Sequence, residues 1–313
     1  MRIRVAVIGG GQNCEHDVSL ASAAGMAEAL LGQGHEVVPL TIATDGTWRD
    51  GAGRGIGLAD AVRALSTCAV AVPAVHGPRG EDGTLAALCE LAGVPYVGSG
   101  VRAGAIAMDK WTTKLVAEAV GIATAAGRLL TATTAGSYVW TRPVVVKPVA
   151  AGSSHGVSMV TEPDRLEPAL ASALALDDRV LVEEVVSGRE IDVAVLGRPG
   201  GVRVVTPTLE ITVDGVFDFQ AKYGGGSTFT VPAHLTEAET TALTEAAVAM
   251  YDALGCAGLA RVDFFLTADG PVLNEVNTMP GFTEQSQVPR MFAAAGTSYG
   301  DLLDLMVRDV IDG

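Results

Sequence analysis

Between Arg261 and Gly281 the chain reads RVDFFLTADGPVLNEVNTMPG. Two β-rich runs, RVDFF and VLNEVN, flank the turn signal ADG, so the stretch is predicted to form a hairpin. With Ala268, Asp269 and Gly270 as a three-residue loop, Thr267 faces Pro271 and Asp263 faces Glu275. Residues so opposed have Cβ atoms about 4.5–5.5 Å apart, where like charges destabilise. By the period of two, Arg261, Asp263 and Phe265 share one strand face, and Glu275 and Asn277 share one face of the other. Aspartate, glutamate and asparagine oxygens beside an arginine make a donor set for hard divalent cations, Mg²⁺ above all, which substrate phosphates usually complete. Taken alone, such a pair is also the pattern of a solvated hairpin face. The apolar flanks and the convergence of four polar groups favour the metal. The expectation hangs on register, since a slip by one residue puts Asp263 and Glu275 on opposite faces.

Other candidates are cationic or glycine-rich. KPVAAGSSHG places Lys147 at a strand end, before a loop holding Gly152, Ser153, Ser154 and Gly156. Such a loop lets backbone N–H groups and hydroxyls approach phosphate oxygens, although an isolated Gly/Ser loop is more often an ordinary polar turn. Neither a GxxxxGK[ST] loop nor a GxGxxG fingerprint occurs, and GGGQNC after the first strand is not one, which removes the main support for a nicotinamide oxidoreductase. MDKWTTK sets Lys110 within a helix, and AKYGGGSTFTVPA sets Lys222 and Tyr223 before a glycine run. EEVVSGRE offers Glu183, Glu184 and Glu190 beside an apolar strand edge, where backbone groups could hold adenine and a glutamate could hold ribose hydroxyls. Read singly, these lysines are solvated surface residues and this segment a charged turn. Glu15 in NCEHDVSL precedes a helix, where the dipole alone accounts for an acid.

These residues need a scaffold, and the periodicities supply one. RVAVIGGG (4–11), HEVVPLTI, AVAVPAVHG (69–77) and VPYVGSG are predicted strands; DVSLASAAGMAEALLGQG and TLAALCELAG are predicted helices. Their alternation predicts an open, mostly parallel α/β sheet over residues 1–100, with ligands at the strand ends GGGQNCEHD and HGPRGEDG. One helix is expected over 103–121, a strand over 143–149, two strands around Ser187–Gly188 within 179–197, a long helix over 236–255, the hairpin and a final helix. Three domains follow: 1–100, a small central α+β unit over 101–187, and 188–313. The 313 residues carry a formal charge of −15, which argues against nucleic acid or an anionic membrane as partner, so that local lysines and arginines must serve any anionic substrate. Cys14, Cys68, Cys89 and Cys256 are widely spaced with no CxxC, as for free thiols in a reducing compartment. No signal-peptide pattern or membrane-length apolar run is present, so a cytoplasmic protein is expected.

In order along the chain, EHDVSL, HGPRGEDGTLAALCELAGVPYVGSG, AMDKWTTK, VVKPVAAGSSHGVS, VEEVVSGREIDVAVL, AKYGGGSTFTVPA, GLARVDFF and LNEVNTMPGFTEQSQVPRM resemble the D-alanine–D-alanine ligases of the ATP-grasp superfamily. The resemblance spans essentially the whole chain. It implies a mixed α/β (α+β) ATP-grasp fold of three domains: a substrate-binding N-terminal unit, and two antiparallel-sheet units that grip ATP. It implies ATP and two Mg²⁺ ions, with Mn²⁺ as substitute, and a homodimer. Lys110, Lys147 and Lys222 would contact phosphates; Glu183, Glu184 and Glu190 would bind adenine and ribose. Asp263, Glu275 and Asn277 would hold the metal. Arg261 and the Gly281 N–H would stabilise the reacting centre. Glu15, grouped with Ser153 and Tyr223, would bind the first D-alanine near His76, and Ser286 would bind the second.

The chain departs from the family pattern in places. Ala150 and Ala151 precede GSS where a charged or larger residue is usual. Phe217 and Phe219 stand where tyrosine is frequent, and His155 replaces a small apolar residue. Gln285 and Gln287 flank Ser286, which an apolar residue usually follows. The intact Lys222–Tyr223 pair argues against a D-alanine–D-lactate ligase. The departures motivate a rival reading, a ligase for a different amino-acid pair; a nucleotide-binding regulator without catalysis would have no need of Arg261.

Overall fold

The computed structural model describes residues 1–213 and 227–313. Lys222, Tyr223, Phe217 and Phe219 lie outside the described residues. The first sheet holds β1 (Arg4–Gly10), β2 (Glu36–Ile42), β3 (Trp48–Arg49), β4 (Gly55–Ile56) and β5 (Val70–Pro73), in the order β4-β3-β2-β1-β5. The central pairs β1–β2 and β1–β5 are parallel, and the β3 and β4 edge is antiparallel. β1 is buried from Val5 to Gly10, as its unbroken apolar run requires when helices cover both faces. Three helices accompany the sheet: α1 (His16–Gly32), α2 (Leu58–Leu65) and α3 (Thr84–Ala92). The strand expected in VPYVGSG is a single bridge between Tyr96 and Ala71. Gly98, at φ +113°, turns the chain away before a ladder can form.

The helix expected over 103–121 is two, α4 (Val101–Met108) and α5 (Lys110–Ala119). Asp109 breaks it: its backbone is extended, and its side chain accepts from Thr112 N at 2.8 Å and so caps α5. Lys110 therefore sits at the first position of a helix rather than inside one. Both helices pack with the C-terminal sheet, through Ala103, Ala107 and Ala117, and β6 (Ala123–Thr124) joins that sheet.

A four-stranded antiparallel sheet, ordered β7-β10-β8-β9, follows from β7 (Gly127–Thr131), β8 (Val144–Pro148), β9 (Ser158–Val160) and β10 (Arg179–Glu184), with α6 (Leu166–Leu174) on its face. The large sheet holds β11 (Arg189–Arg198), β12 (Val202–Val205), β13 (Leu209–Val213), β14 (Ser227–Thr230), β15 (Leu259–Thr267) and β16 (Gly270–Asn277). Its order is β14-β13-β11-β15-β16-β6, and β12 pairs β11. One face of β11 and β15 (Ile191, Val193, Val262, Phe264) buries against α7 (Glu237–Leu254), which starts at a full capping box between Thr236 and Glu239. After the hairpin come two helices rather than one, α8 (Gln287–Ala294) and α9 (Tyr299–Asp312). They share a core with α1 and β1, so the C-terminal helices tie the large sheet to the N-terminal unit.

The hairpin reaches its expected pairing by another route. Thr267 pairs with Gly270, so the turn has two residues, Ala268 and Asp269, not three. From that turn alone Asp263 would face Asn274. A β-bulge between Phe264 and Asp263 inserts Asn274 and restores Asp263 opposite Glu275. Bulges commonly re-aim a side chain beside a functional site.

Candidate active site

Two cavities of about 510 Å³ and about 400 Å³ lie next to one another. The larger opens between the N-terminal unit and the loop after β16, among Glu15, His76, Ser153, Gly281 and Ser286. The smaller lies between the two antiparallel sheets, with Lys147 and Glu183 on one side and Glu190, Asp263 and Leu273 on the other. Lys110, Ala151, Arg261, Glu275 and Gln287 line both, so the cavities meet at a wall made of charged and amide groups.

That wall is an ion-pair network. Arg261 forks onto Asp263, from Nε to Oδ1 at 2.7 Å and from Nη2 to Oδ2 at 2.8 Å, and its Nη1 donates to Gln287 Oε1 at 2.6 Å. Asp192 Oδ2 stands 3.4 Å from Nε. Burial disfavours the guanidinium charge, but Asp263 and Asp192 outweigh it and hold the arginine more firmly protonated than usual. Glu275 lies 3.3 Å from Lys110 Nζ, which also donates to Ala151 O at 3.0 Å. The like-charge opposition of Asp263 and Glu275 is thus offset by a cation on each. Asn277 donates to Asp263 Oδ2 at 2.9 Å, so all three expected metal ligands converge on one hairpin face. Their donor set, two carboxylates and an amide at the edge of a cavity, fits a hard divalent ion. Among the described residues, no group of three or more His, Cys, Asp and Glu side chains is placed to hold a metal by itself.

In the smaller cavity Glu183 is buried between two lysines, Lys147 and Lys114, each at 2.5 Å. Burial alone would raise its pKa; the two ammonium groups more than offset that and lower it. Lys114 also donates to Ala125 O. Glu184 points elsewhere, to Arg142 at 3.0 Å on the exposed side, although its backbone N–H is held by Ala126 O at 2.8 Å. Glu190, the second residue of β11, lines this cavity.

In the larger cavity Glu15 is 6% exposed and accepts from Ser153 Oγ. A Cβ on Gly152 or on Gly77 would overlap its carboxylate, so both glycines are required by close approach. Ser153 and Ser154 hold left-handed backbones at φ +47° and +55°, a strained arrangement of the kind that clusters at functional sites. Glu15 Oε2 is buried without a hydrogen-bond partner among the described residues, so the carboxylate keeps an acceptor for a further donor. His76 lines the same cavity but is 2% exposed, and both its ring nitrogens are taken: Nδ1 by Met279 O at 2.8 Å, Nε2 by Ser22 Oγ at 2.9 Å. A carbonyl can only accept, so Nδ1 carries the proton. Ser22 then donates to Nε2 and accepts from Phe282 N at 3.1 Å. His76 therefore acts on the loop that carries Gly281. Ser286 Oγ accepts from Thr283 N at 3.0 Å and caps no amide of α8 with its side chain.

Sequence reasoning missed Glu81, Lys114, Asp192 and Gln287 as site residues. Glu81 accepts from Gly77 N at 2.7 Å and from Met279 N at 3.0 Å, so together with His76 it clamps both ends of the Met279 peptide. Lys114 was within reach of the sequence, one helical turn beyond Lys110 on the same face. Gln287 stood out in the sequence only as a departure beside Ser286, and Glu81 only as part of the strand end HGPRGEDG; nothing local marks Asp192.

Two antiparallel sheets gripping a lysine-lined cleft, beside a parallel α/β unit that closes a second cleft, define an ATP-grasp enzyme. Residues 130–308 match the family profile described as the D-ala D-ala ligase C-terminus, and residues 4–65 and 54–99 match its N-terminus. The chain belongs to the D-alanine–D-alanine ligase family. It is 40% identical to the D-alanine–D-alanine ligase of Corynebacterium aurimucosum, covering 99% of this chain and 98% of that one. It is 41% identical to that of Mycolicibacterium vanbaalenii, with 99% and 97% covered. Among solved structures, the VanG D-Ala:D-Ser ligase from Enterococcus faecalis superposes with a TM-score of 0.85 at 31% identity, over 98% of this chain and 99% of that one. The D-alanine–D-alanine ligase from Bacillus anthracis complexed with ATP gives 0.81 at 28% identity, over 99% and 98%. Among the described residues no helix is long and apolar enough to cross a membrane.

Proposed function

We propose that this chain uses ATP to join two D-alanines into D-alanyl-D-alanine for peptidoglycan precursor synthesis, releasing ADP and phosphate. The observation that carries the reading is the shared wall: a nucleotide bound in the smaller cavity meets an amino acid bound in the larger one at Lys110, Arg261 and Glu275. Adenine lies against Glu183 and the backbone of Glu184, ribose against Glu190, and the phosphates against Lys147, Lys110 and Lys222. Asp263, Glu275 and Asn277 hold two Mg²⁺ ions, which when bound neutralise phosphate charge. The buried Glu15 carboxylate receives the ammonium of the first D-alanine, with Ser153 and Tyr223 completing the group. That substrate's carboxylate oxygen attacks the γ-phosphorus, the bond to the β-phosphate oxygen breaks, and ADP leaves an acyl phosphate. The amine of the second D-alanine, its carboxylate held by Ser286, then attacks the acyl carbon. The tetrahedral oxyanion is met by Arg261 and the Gly281 N–H, the C–O bond breaks, phosphate departs and the amine loses its proton. Positioning and charge stabilisation, rather than covalent chemistry by the protein, is what such transfer requires. His76 and Glu81 fix the Met279–Gly281 segment, and so the direction of the Gly281 N–H. The same reading carries a homodimeric cytoplasmic enzyme.

The departures from the family pattern at Ala150–Ala151 and at Gln287, next to Ser286, favour a second reading, in which the second amino acid is not D-alanine. Phosphate release with ATP, Mg²⁺ and D-alanine, with mass spectrometry of the product, separates the two. A dipeptide of D-alanine is expected; turnover only with another amino acid would establish the second.

A further inference from the structure

Gln287 stands first in α8 and is 7% exposed. Its orientation is fixed by chemistry: Arg261 can only donate, so the atom 2.6 Å from Nη1 must be Oε1. The amide nitrogen is thereby turned the other way, and among the described residues Nε2 is buried with no hydrogen-bond partner. Leaving such a donor unsatisfied is costly, and native interiors rarely tolerate it without a function. Its place narrows the function. Gln287 is one of the few side chains that line both cavities, together with Lys110, Arg261 and Glu275. What crosses that wall in the proposed reaction is the phosphoryl group, which carries only acceptor oxygens.

From this juxtaposition we infer that Gln287 is a substrate-contacting residue of this chain, its Nε2–H₂ donating to a phosphoryl oxygen of the acyl phosphate while its Oε1 holds Arg261. The inference rests on the ligase reading and deepens it. It gives the reacting centre a third donor beside Arg261 and the Gly281 N–H, at a position where the family pattern has an apolar side chain with none to offer. The bond is absent from the free enzyme and made only as the group transfers, which is the kind of interaction that raises kcat rather than lowering KM.

The test uses the full chain with Q287M and Q287E, assayed for ADP release and product, on D-alanine or on whichever amino acids the unmodified chain joins. Q287M removes both roles; Q287E keeps an acceptor for Arg261, and so the local packing, but has no donor when ionised. Both are expected to lower kcat about 10- to 100-fold while the KM for ATP stays within about threefold. The Q287E rate relative to the unmodified chain should rise as the pH falls, because a protonated carboxyl donates again. Near-normal turnover by Q287E would reduce Gln287 to a support for Arg261 and overturn the inference, as would an unaffected Q287M. An unmodified chain that consumes no ATP with any amino acid would instead overturn the ligase reading, and the inference with it.

Discussion

Arg261→Lys keeps the charge at the centre of the site and removes its geometry. The arginine makes three charge-assisted bonds, at 2.7, 2.8 and 2.6 Å, to both oxygens of Asp263 and to Gln287. A single ammonium cannot span those three acceptors, and one bond is expected to survive. At about 1.5–3 kcal/mol each, two lost bonds come to about 3–6 kcal/mol, and relaxation of the site brings the expected net loss to about 3 kcal/mol. Arg261→Met, which takes the guanidinium away from the buried Asp263 and Asp192 carboxylates, should cost about 3–5 kcal/mol. Activity should fall further than stability. A displaced donor at a developing oxyanion is worth about 10²–10³ in kcat. Thermal melting of the purified chain and a coupled assay for ADP read the two effects separately. If Arg261→Lys melts with the unmodified chain and turns over within about threefold of it, the fork onto Asp263 is not what positions the charge, and the reasoning fails.

Glu275→Gln is expected to leave almost no turnover even at saturating Mg²⁺, because it takes a carboxylate from the proposed ligand set and a partner from Lys110; near-normal rates would contradict the assignment. Gly152→Ala forces a methyl onto the Glu15 carboxylate and should raise the KM for the first amino acid by about tenfold or more while sparing that for ATP, since the atoms nearest the added methyl all belong to Glu15; equal effects on both would point to a general distortion. Lys114→Met leaves Glu183 to Lys147 alone and should weaken ATP binding, measured by calorimetry, by about 1–3 kcal/mol, with Lys114→Arg partly restoring it; unchanged affinity would remove Lys114 from the site. Burial and the nearby Glu15 push Glu81 up to about 7 from an ordinary 4.5, against the pull of the Gly77 and Met279 N–H groups. The folded chain then holds this proton more tightly than the unfolded one, so this contribution to stability is fully present below about pH 4.5 and is lost as the pH rises through about 7. Glu81→Gln should flatten that slope in melting temperature, and identical slopes in both proteins would refute it.

The strands, the long helix and the hairpin were legible because each rests on local periodicity and turn chemistry, which neighbouring residues determine. The two-residue turn and the bulge at Asn274 were not. Their effects on register cancel, so a count from the wrong loop still put Asp263 opposite Glu275. Asp109 was also illegible as a break: the apolar period runs through it, and its capping of Thr112 is visible only once the backbone is seen to extend there. The contacts that complete the site join residues far apart in the chain. Ser153 meets Glu15, and His76 and Glu81 meet Met279. Spacing along a sequence carries no information about such pairs; the packing of α8 and α9 against α1 and β1 is what seats the loop after the hairpin beside the N-terminal unit.

The ion pairs also answer how a chain of net charge −15 can receive a polyanion. Each cation expected at the phosphates that falls among the described residues already has an internal acid: Lys147 has Glu183, Lys110 has Glu275, and Arg261 has Asp263. Without those acids, three buried or half-buried cations would stand side by side and repel. With them the site is close to neutral, and the cations stay charged and oriented in advance of substrate. Nucleotide binding is then an exchange of partners. On the proposed function a phosphate would take Lys147 from Glu183, which would keep Lys114 and have an oxygen freed for adenine. Another would take Lys110 from Glu275, a residue of the proposed metal-ligand set. The long-range field of the protein opposes ATP, so these local exchanges, rather than electrostatic steering, must supply the affinity, and the ATP on-rate should hold or rise as added salt screens that repulsion. A steep fall in the ATP on-rate with added salt, followed by stopped-flow fluorescence, would show that steering dominates after all.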